Sequence, residues 1–320
     1  MQPSMPHTPS PAETAAVIEV EHLTRYEYSQ PVSMAQHLAI LEPLSDERQR
    51  LIDFQLEVEP QPDPQALHRR SDGYGNRLHW FSISRPHDQL SVIARSRVEI
   101  WPWKADGPWR FPERTPSCFE VAASLRYHPS RAWQPAVEFL QPSPYVPKLP
   151  GLLQFAQPLL HPDQPLLQGA LRLMNAVHTE FNYRSRSTDV NTPLQRVLDQ
   201  RQGVCQDFAH LLIGMFRAMG LPARYVSGYL LTQPAPGQPA LVGADASHAW
   251  VQVWCPSSSP EGHWIDLDPT NNLIPDQAHV RVAVGRDFGD VTPLRGVIRG
   301  GGHHRLSVAV TTRLAETETA

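Results

Sequence analysis

Three short segments carry residue types that together could form a nucleophilic site. The segment Gly203-Val204-Cys205 places a cysteine after a glycine, at the start of an apolar helical pattern. The N–H groups at a helix start are unpaired and carry partial positive charge, which favours the thiolate form of a cysteine there. A thiolate nucleophile needs a base and an orienting group, and His248 and the segment Asp266-Leu267-Asp268-Pro269-Thr270 offer both.

A predicted hairpin brings the base and the orienting group together. Residues 247–255 and 263–268 have strand patterns, and Pro256–Pro260 has the composition of a turn. If the strands pair symmetrically about Ser258, His248 faces Asp268 and Trp250 faces Asp266, with opposed Cβ atoms ~5 Å apart. A one-residue slip would place the partners on opposite faces.

The chemistry that such a site supports is acyl transfer through sulfur. The imidazole takes the thiol proton, and a carboxylate fixes its tautomer. The thiolate then attacks an acyl carbonyl and forms a thioester, with the Cys205 backbone N–H as the predicted oxyanion donor. Asp266 competes with Asp268 as the orienting group, and spacing alone leaves both open.

Each of these residues also has a structural interpretation. A lone cysteine in an apolar helix is usually a small buried hydrophobe, a strand histidine is usually structural, and an aspartate before proline often belongs to a turn. A metal site is a further alternative. Its candidate ligands would be Cys205, His248, Cys255, His263, His303 and His304. Because the chain contains no C-x-x-C, H-x-x-H or H-E-x-x-H motif, no metal is predicted.

The elements around these segments suggest two domains and a connector. Residues 1–15 are predicted to be a disordered tail, and period-two stretches such as 52–59 predict an antiparallel β-sandwich over 16–103. Residues 104–163 form a Pro-rich connector with short helices. Residues 164–315 contain helical patterns followed by strands, which is typical of an α+β domain.

Composition narrows the function class. The chain has 320 residues, 41% of them hydrophobic, and a formal net charge of −4, so a nucleic-acid partner is not expected. The chain has three cysteines: Cys118, Cys205 and Cys255. A small and odd number of cysteines argues against a disulfide framework and fits a reducing compartment. With no signal-like N-terminus and no run of ~18 apolar residues, we expect a cytoplasmic protein without a membrane partner.

The sequence resembles the transglutaminase-like superfamily, in its bacterial branch with an N-terminal β-domain and a cysteine-protease-type core. The resemblance is carried by four segments: Gly203–Ala209, Gly220–Tyr229, His248–Trp254 and Trp264–Asn271. It implies a papain-like α+β core in which the cysteine helix packs on an antiparallel sheet or barrel. It further implies Cys205 as nucleophile, His248 as base and Asp268, rather than Asp266, as orienting residue.

Proteins of this superfamily include transferases, amide or peptide hydrolases and non-catalytic members, so the resemblance leaves the reaction open. A short chain without calcium dependence favours cleavage of an amide or peptide bond through a thioester, in a protein or peptide substrate and without a cofactor. Calcium dependence is not expected, because no acidic loop of the EF-hand type occurs. Transfer of the acyl group to an amine is the alternative, and a non-catalytic binding module is a third possibility. Tyr183, Trp250 and Asp266 are secondary candidates for substrate binding. The sequence does not address the oligomeric state.

Overall fold

The fold is seen in a computed structural model that describes residues 14–103, 114–130, 132–185, 187–189, 191–232, 247–257 and 261–315. Two predicted features, the N-terminal tail and the tip of the 256–260 turn, lie largely outside these residues. So does the segment 233–246, whose Pro- and Gly-rich sequence predicts a loop.

The described chain alternates long stretches of strand with short helices. Its strands are β1 (Ala16–Glu42), β2 (Gln49–Glu59), β3 (His68–Ser71), β4 (Arg77–Ile83), β5 (His87–Ile100), β6 (Asn182–Tyr183), β7 (Gln202–Gly203), β8 (Ala223–Leu230), β9 (Ser247–Cys255), β10 (His263–Leu267), β11 (His279–Gly285), β12 (Leu294–Gly300) and β13 (His304–Leu314). Its α-helices are α1 (Cys118–Ser124), α2 (Pro150–Ala156), α3 (Leu166–Glu180), α4 (Leu194–Gln200) and α5 (Cys205–Ala218). Among the described residues, none of these helices has the length and apolar character needed to cross a membrane.

The first sheet is built around the long strand β1. The order is β2-β5-β1-β4-β3, and β12 and β13 also pair with β1. The first half of β1 pairs with β5 and β13, and its second half pairs with β4 and β12, all antiparallel. Burial alternates along β5, as its period-two sequence predicts.

This sheet curls so that its two halves enclose a common apolar cluster. The cluster contains residues from both halves: Ala39, Leu41, Val58, Phe81, Ile83, Leu90, Val92, Ala94 and Leu294. The predicted sandwich is therefore formed by one continuous antiparallel sheet that folds over itself through β1.

The second layer is the α+β core that the sequence predicts. Its antiparallel sheet has the order β10-β9-β8-β11, and helix α5 packs against β8 and β9. The apolar side of α5, with Phe208, Leu212 and Phe216, is buried in the main cluster. The predicted fold class, an N-terminal antiparallel β-region followed by a papain-like core with the cysteine helix on an antiparallel sheet, is confirmed.

The last two strands return to the first sheet. β12 and β13 hydrogen-bond to β1, although the sequence analysis grouped them with the 164–315 domain. An alternating pattern such as that of 306–312 identifies a strand but not the sheet it joins, since pairing depends on residues almost 300 positions away. The division of the chain into a tail, two domains and a connector stays a prediction.

The segment 44–49, which leads into β2 of the first sheet, hydrogen-bonds to strand β11 of the second sheet. Gln49 is fully buried, and its Nε2 donates to the Leu44 and Arg281 carbonyls at 2.6 and 2.8 Å. The Arg281 backbone N–H donates to Gln49 Oε1 at 2.8 Å, and the Arg281 guanidinium donates to Asp46 at 2.8 Å. The start of β2 thus acts as an extra pairing partner for β11.

Replacement of Gln49 tests this connection. In Gln49→Met the Arg281 N–H and two carbonyls lose their buried partners, so we expect the free energy of unfolding to fall by about 1–3 kcal/mol. Urea denaturation measures it. Gln55 is exposed on the same strand, and Gln55→Met should change stability by less than about 0.5 kcal/mol. Equal effects of the two substitutions would contradict the assignment.

Candidate functional site

Cys205 is the first residue of α5, as the sequence predicts. The helix start is held by Asp207, whose Oδ2 accepts the Val204 N–H at 2.8 Å and the Thr188 hydroxyl at 2.6 Å. Gly203 is required just before it, because a Cβ there would lie 2.8 Å from the Asp207 Cβ. The local sequence therefore fixes both the beginning of the helix and the position of the thiol.

His248 lies near the start of β9 and meets Asp268, which follows β10. Its Nε2 is 2.8 Å from Asp268 Oδ2. The predicted register is wrong by two residues: Cys255 pairs with His263 and Val251 with Leu267, so Gln252, not Trp250, faces Asp266. Because the shift is even, every side chain keeps its predicted face, and Asp268 reaches His248 diagonally.

The Cys205 thiol lies close enough to the His248 ring to contribute to the pKa of the imidazole. With Nε2 bonded to Asp268, Nδ1 is the nitrogen left for the sulfur. Burial lowers the pKa of His248, but the hydrogen bond to Asp268 and the interaction with Cys205 outweigh it and raise this pKa to about 10. The imidazole is therefore protonated at neutral pH.

Asp268 is completely buried and has a donor on each side of its carboxylate. Oδ1 accepts the backbone N–H groups of Thr270 and Asn271 at 2.9 and 3.2 Å. Oδ2 accepts from Asn271 Nδ2 at 2.7 Å, from His248 and from His279 Nε2 at 3.1 Å. Burial raises the pKa of Asp268, but its hydrogen bonds with His248 and His279 hold it well below its usual range. The carboxylate therefore stays ionised.

Trp250 and Asp266, two secondary candidates, lie beneath this constellation. Trp250 is 0% exposed, and its Nε1 donates to Asp266 Oδ1 at 2.7 Å, which also accepts from Gln252 at 2.9 Å. Asp266 thus bonds to Trp250 rather than to His248. Both side chains are buried, which argues against contact with a substrate and in favour of a supporting role.

Tyr183, the third secondary candidate, lies at the surface beside the thiol. It is 52% exposed, pairs through its backbone with Gly203, and packs edge-on against Phe208. Partial burial, together with the charge of Cys205, raises the pKa of its hydroxyl. Its assignment as a substrate-binding residue stays a prediction.

His279 and the side chain of Asn271 are parts of the site that the sequence analysis missed. Asn271 adjoins Asp268 and was named only within a matching segment. His279 begins β11, which lies two strands away from β9 in the sheet. No spacing pattern links it to His248, so only the three-dimensional arrangement identifies it.

A metal is not favoured by the bonding at this site. Ligand atoms of His248, Asp268 and His279 lie within 4.8 Å of one another. Within the described part of the chain, these three residues form the group whose spacing could hold a metal ion. Both imidazoles, however, bond directly to the same carboxylate oxygen. A metal would have to replace these two contacts in a fully buried position.

The other two thiols are unlike Cys205. Cys118 and Cys255 are buried, and burial raises the pKa of each to about 11. Cys205 is partly exposed and lies beside the His248 ring. The described chain therefore contains one thiol with both access and a base.

Comparison with known proteins agrees with the fold. Residues 153–269 match the transglutaminase-like superfamily core, and residues 18–99 match the bacterial transglutaminase-like N-terminal region. The sequence is 37% identical over 289 residues to an uncharacterized protein of Mycobacterium tuberculosis, covering 87% of this chain and 86% of that protein. An uncharacterized protein of Mycobacterium leprae is 32% identical over 305 residues, covering 93% and 99%.

Two further relatives carry functional descriptions. A "putative cysteine protease" from Cytophaga hutchinsonii superposes with a TM-score of 0.70 at 21% identity, covering 96% of this chain and 93% of that one. A protein-glutamine gamma-glutamyltransferase of Pseudomonas aeruginosa is 30% identical over 115 residues, covering 36% of this chain and 17% of that protein.

The protein therefore belongs to the transglutaminase-like superfamily, in the group that carries the bacterial N-terminal region. The family resemblance predicted from the four sequence segments is confirmed.

The raised pKa of His248 has a consequence for stability. A group whose pKa is higher in the folded than in the unfolded protein stabilises the fold fully below its unfolded pKa of about 6.5. That contribution is lost as the pH rises through the folded value of about 10. We therefore expect the wild-type unfolding free energy to fall more steeply between pH 7 and 10 than that of His248→Asn.

Urea denaturation at a series of pH values measures the difference. His263→Asn, which removes an exposed histidine from the neighbouring strand, is the control and should follow the wild-type slope. Parallel curves for wild type and His248→Asn would show that the folded protein does not favour the protonated ring.

Proposed function

We propose that the protein is a cysteine-dependent amidohydrolase or peptidase in which Cys205 is the nucleophile, His248 the base and Asp268 the orienting residue. The observation that carries the proposal is the position of one imidazole between a partly exposed thiol and a buried, ionised carboxylate. Membership of the superfamily supports a cysteine-dependent activity, since members of the superfamily are typically cysteine-dependent enzymes. The expected substrate is a protein or peptide.

The first half of the reaction forms a thioester. The Cys205 proton resides on His248, and the sulfur attacks the carbonyl carbon of the amide to give a tetrahedral oxyanion. The Cys205 N–H lies in the first turn of α5, where backbone donors have no partner within the helix, and it is placed to stabilise that oxyanion. Collapse breaks the C–N bond, and His248 gives its proton to the leaving amine.

The second half releases the acyl group. His248, now neutral, takes a proton from water as the water oxygen attacks the thioester carbon. The C–S bond breaks, the carboxylic acid leaves, and the proton on His248 restores the starting pair with the Cys205 thiolate. Asp268 stays ionised throughout and keeps Nδ1 of the ring directed at the sulfur.

Transfer to an amine is the second candidate, and one finding favours it. The Pseudomonas aeruginosa relative is a protein-glutamine gamma-glutamyltransferase, and the match to it covers 36% of the present chain. Water and an amine would attack the same thioester, so the two activities share every step before release. They differ only in the acceptor that reaches the acyl group.

We also propose a cytoplasmic location. Cys118, Cys205 and Cys255 are all free thiols, which is the usual state in a reducing compartment.

Partitioning of an acyl group between water and amine decides between the two candidates. We expect p-nitrophenyl acetate to be turned over at Cys205 and to give acetate as the main product in the presence of glycinamide. Chromatography of both products measures the ratio. Cys205→Ala should reduce turnover to the uncatalysed background, while Cys255→Ala should not. Acetylglycinamide as the main product would overturn hydrolysis in favour of transfer.

A further inference from the structure

A second histidine shares the carboxylate that orients His248. His279 is only 2% exposed, and its Nε2 lies 3.1 Å from Asp268 Oδ2. Its ring is 5.8 Å from that of His248 and stands edge-on to Trp250 at 5.2 Å. We propose that His279 is a positioning residue, which holds Asp268 in place and thereby aligns His248 with Cys205. This inference rests on the proposed function.

The proton count at Asp268 fixes the state of His279. The ionised carboxylate can only accept hydrogen bonds, so every nitrogen bonded to it must carry a proton. His279 therefore has its proton on Nε2. Its Nδ1 is buried and meets no hydrogen-bond partner among the described residues. A second proton there would create a buried, charged donor without an acceptor, so the neutral Nε2–H tautomer is the state that fits.

This tautomer explains how Asp268 can stay ionised without depending on His248 alone. Three side-chain donors converge on Oδ2, from Asn271, His248 and His279. During the reaction His248 gives up its charge and regains it. The neutral donor on His279 does not change in those steps, so it keeps the carboxylate oriented while the His248 contact weakens and strengthens.

The backbone around His279 is built to hold the ring still. His279 pairs with Leu230, and its N–H donates to the Asp276 carbonyl at 3.1 Å. Gly228, on the strand between β9 and β11, leaves the space that Trp250 fills, because a Cβ at that position would lie 2.5 Å from the Trp250 ring. Trp250 in turn packs against the His279 ring. His279 is thus held on one side by its strand and on the other by Trp250.

Two nearly isosteric substitutions isolate the donor. His279→Gln keeps an N–H group at about the position of Nε2, whereas His279→Met does not, and both remove the ring. The readout is the rate of Cys205 alkylation by iodoacetamide at pH 7, with each site identified by peptide mass. We expect His279→Met to slow Cys205 about tenfold, by analogy with the loss of a hydrogen-bond partner behind a metal-ligating histidine. His279→Gln should stay within about threefold of wild type. Equal rates for the two variants would overturn the proposal.

The same experiment separates this inference from the proposed function. If wild-type Cys205 reacts no faster than Cys205 in His248→Ala, the proposed function fails whatever His279 does. If the wild type is fast, depends on His248 and is matched by His279→Met, the site stands and the positioning role is wrong.

A measurement on the wild type covers the case in which His279→Met does not fold. In protein labelled with ¹⁵N histidine, the His279 ring should show the neutral pattern with its proton on Nε2 at pH 7. A proton on Nδ1 alone, or on both nitrogens, would refute the assigned role.

Discussion

The structure around the candidate site depends on the burial of one charge, the carboxylate of Asp268. An ionised carboxylate without partners in a protein interior would cost more than the whole stability of a typical fold. Here it is offset by donors from its own turn, Thr270 and Asn271, and by histidines from two strands. These donors converge because the start of β9, the end of β10 and the start of β11 lie close together. Their convergence also fixes Nε2 of His248 against Asp268 and leaves Nδ1 as the nitrogen available to Cys205.

The same constraint reaches into the first sheet. β11 carries His279 at its start and Arg281 two residues later, and Arg281 is bonded to Gln49 and Asp46 of the N-terminal region. Arg281 also lies 3.6 Å from Asp266, the carboxylate that holds Trp250 beneath the site. His22 of β1 adds a second link, through its 3.0 Å hydrogen bond to Tyr229. The N-terminal sheet therefore supports the strands that bear the site, which gives it a structural role besides any contact with a partner.

Local signals in the sequence account for the elements around the candidate site that were predicted correctly. Strand β9 and the start of α5 follow from alternation, from Gly203 and from the apolar helix face, and all of these are properties of neighbouring residues. The hairpin register was wrong by two, because the length of a turn does not determine which of its residues extend the strands. The meeting of His248 and Asp268 was nevertheless anticipated, since an even shift preserves the face.

The parts that were missed depend on contacts between distant segments. Nothing near His279 indicates that its ring faces Asp268, and nothing in 294–314 indicates that these strands pair with β1. Trp250 and Asp266 lie on the same face of the sheet as His248, as the alternation predicted. Alternation does not indicate how deeply a side chain is buried, however, and both side chains are buried. Sequence patterns describe faces and spacing, whereas burial and pairing are properties of the assembled chain.

The central claim is that Cys205 forms a thioester with the help of His248. The most direct test is to acid-quench the protein during turnover of p-nitrophenyl acetate and to locate the acyl group by peptide mass spectrometry. We expect one acetyl group on Cys205, removable by neutral hydroxylamine and absent in His248→Asn. Acetylation of Cys118 or Cys255 instead, or an equal yield on Cys205 without His248, would contradict this claim.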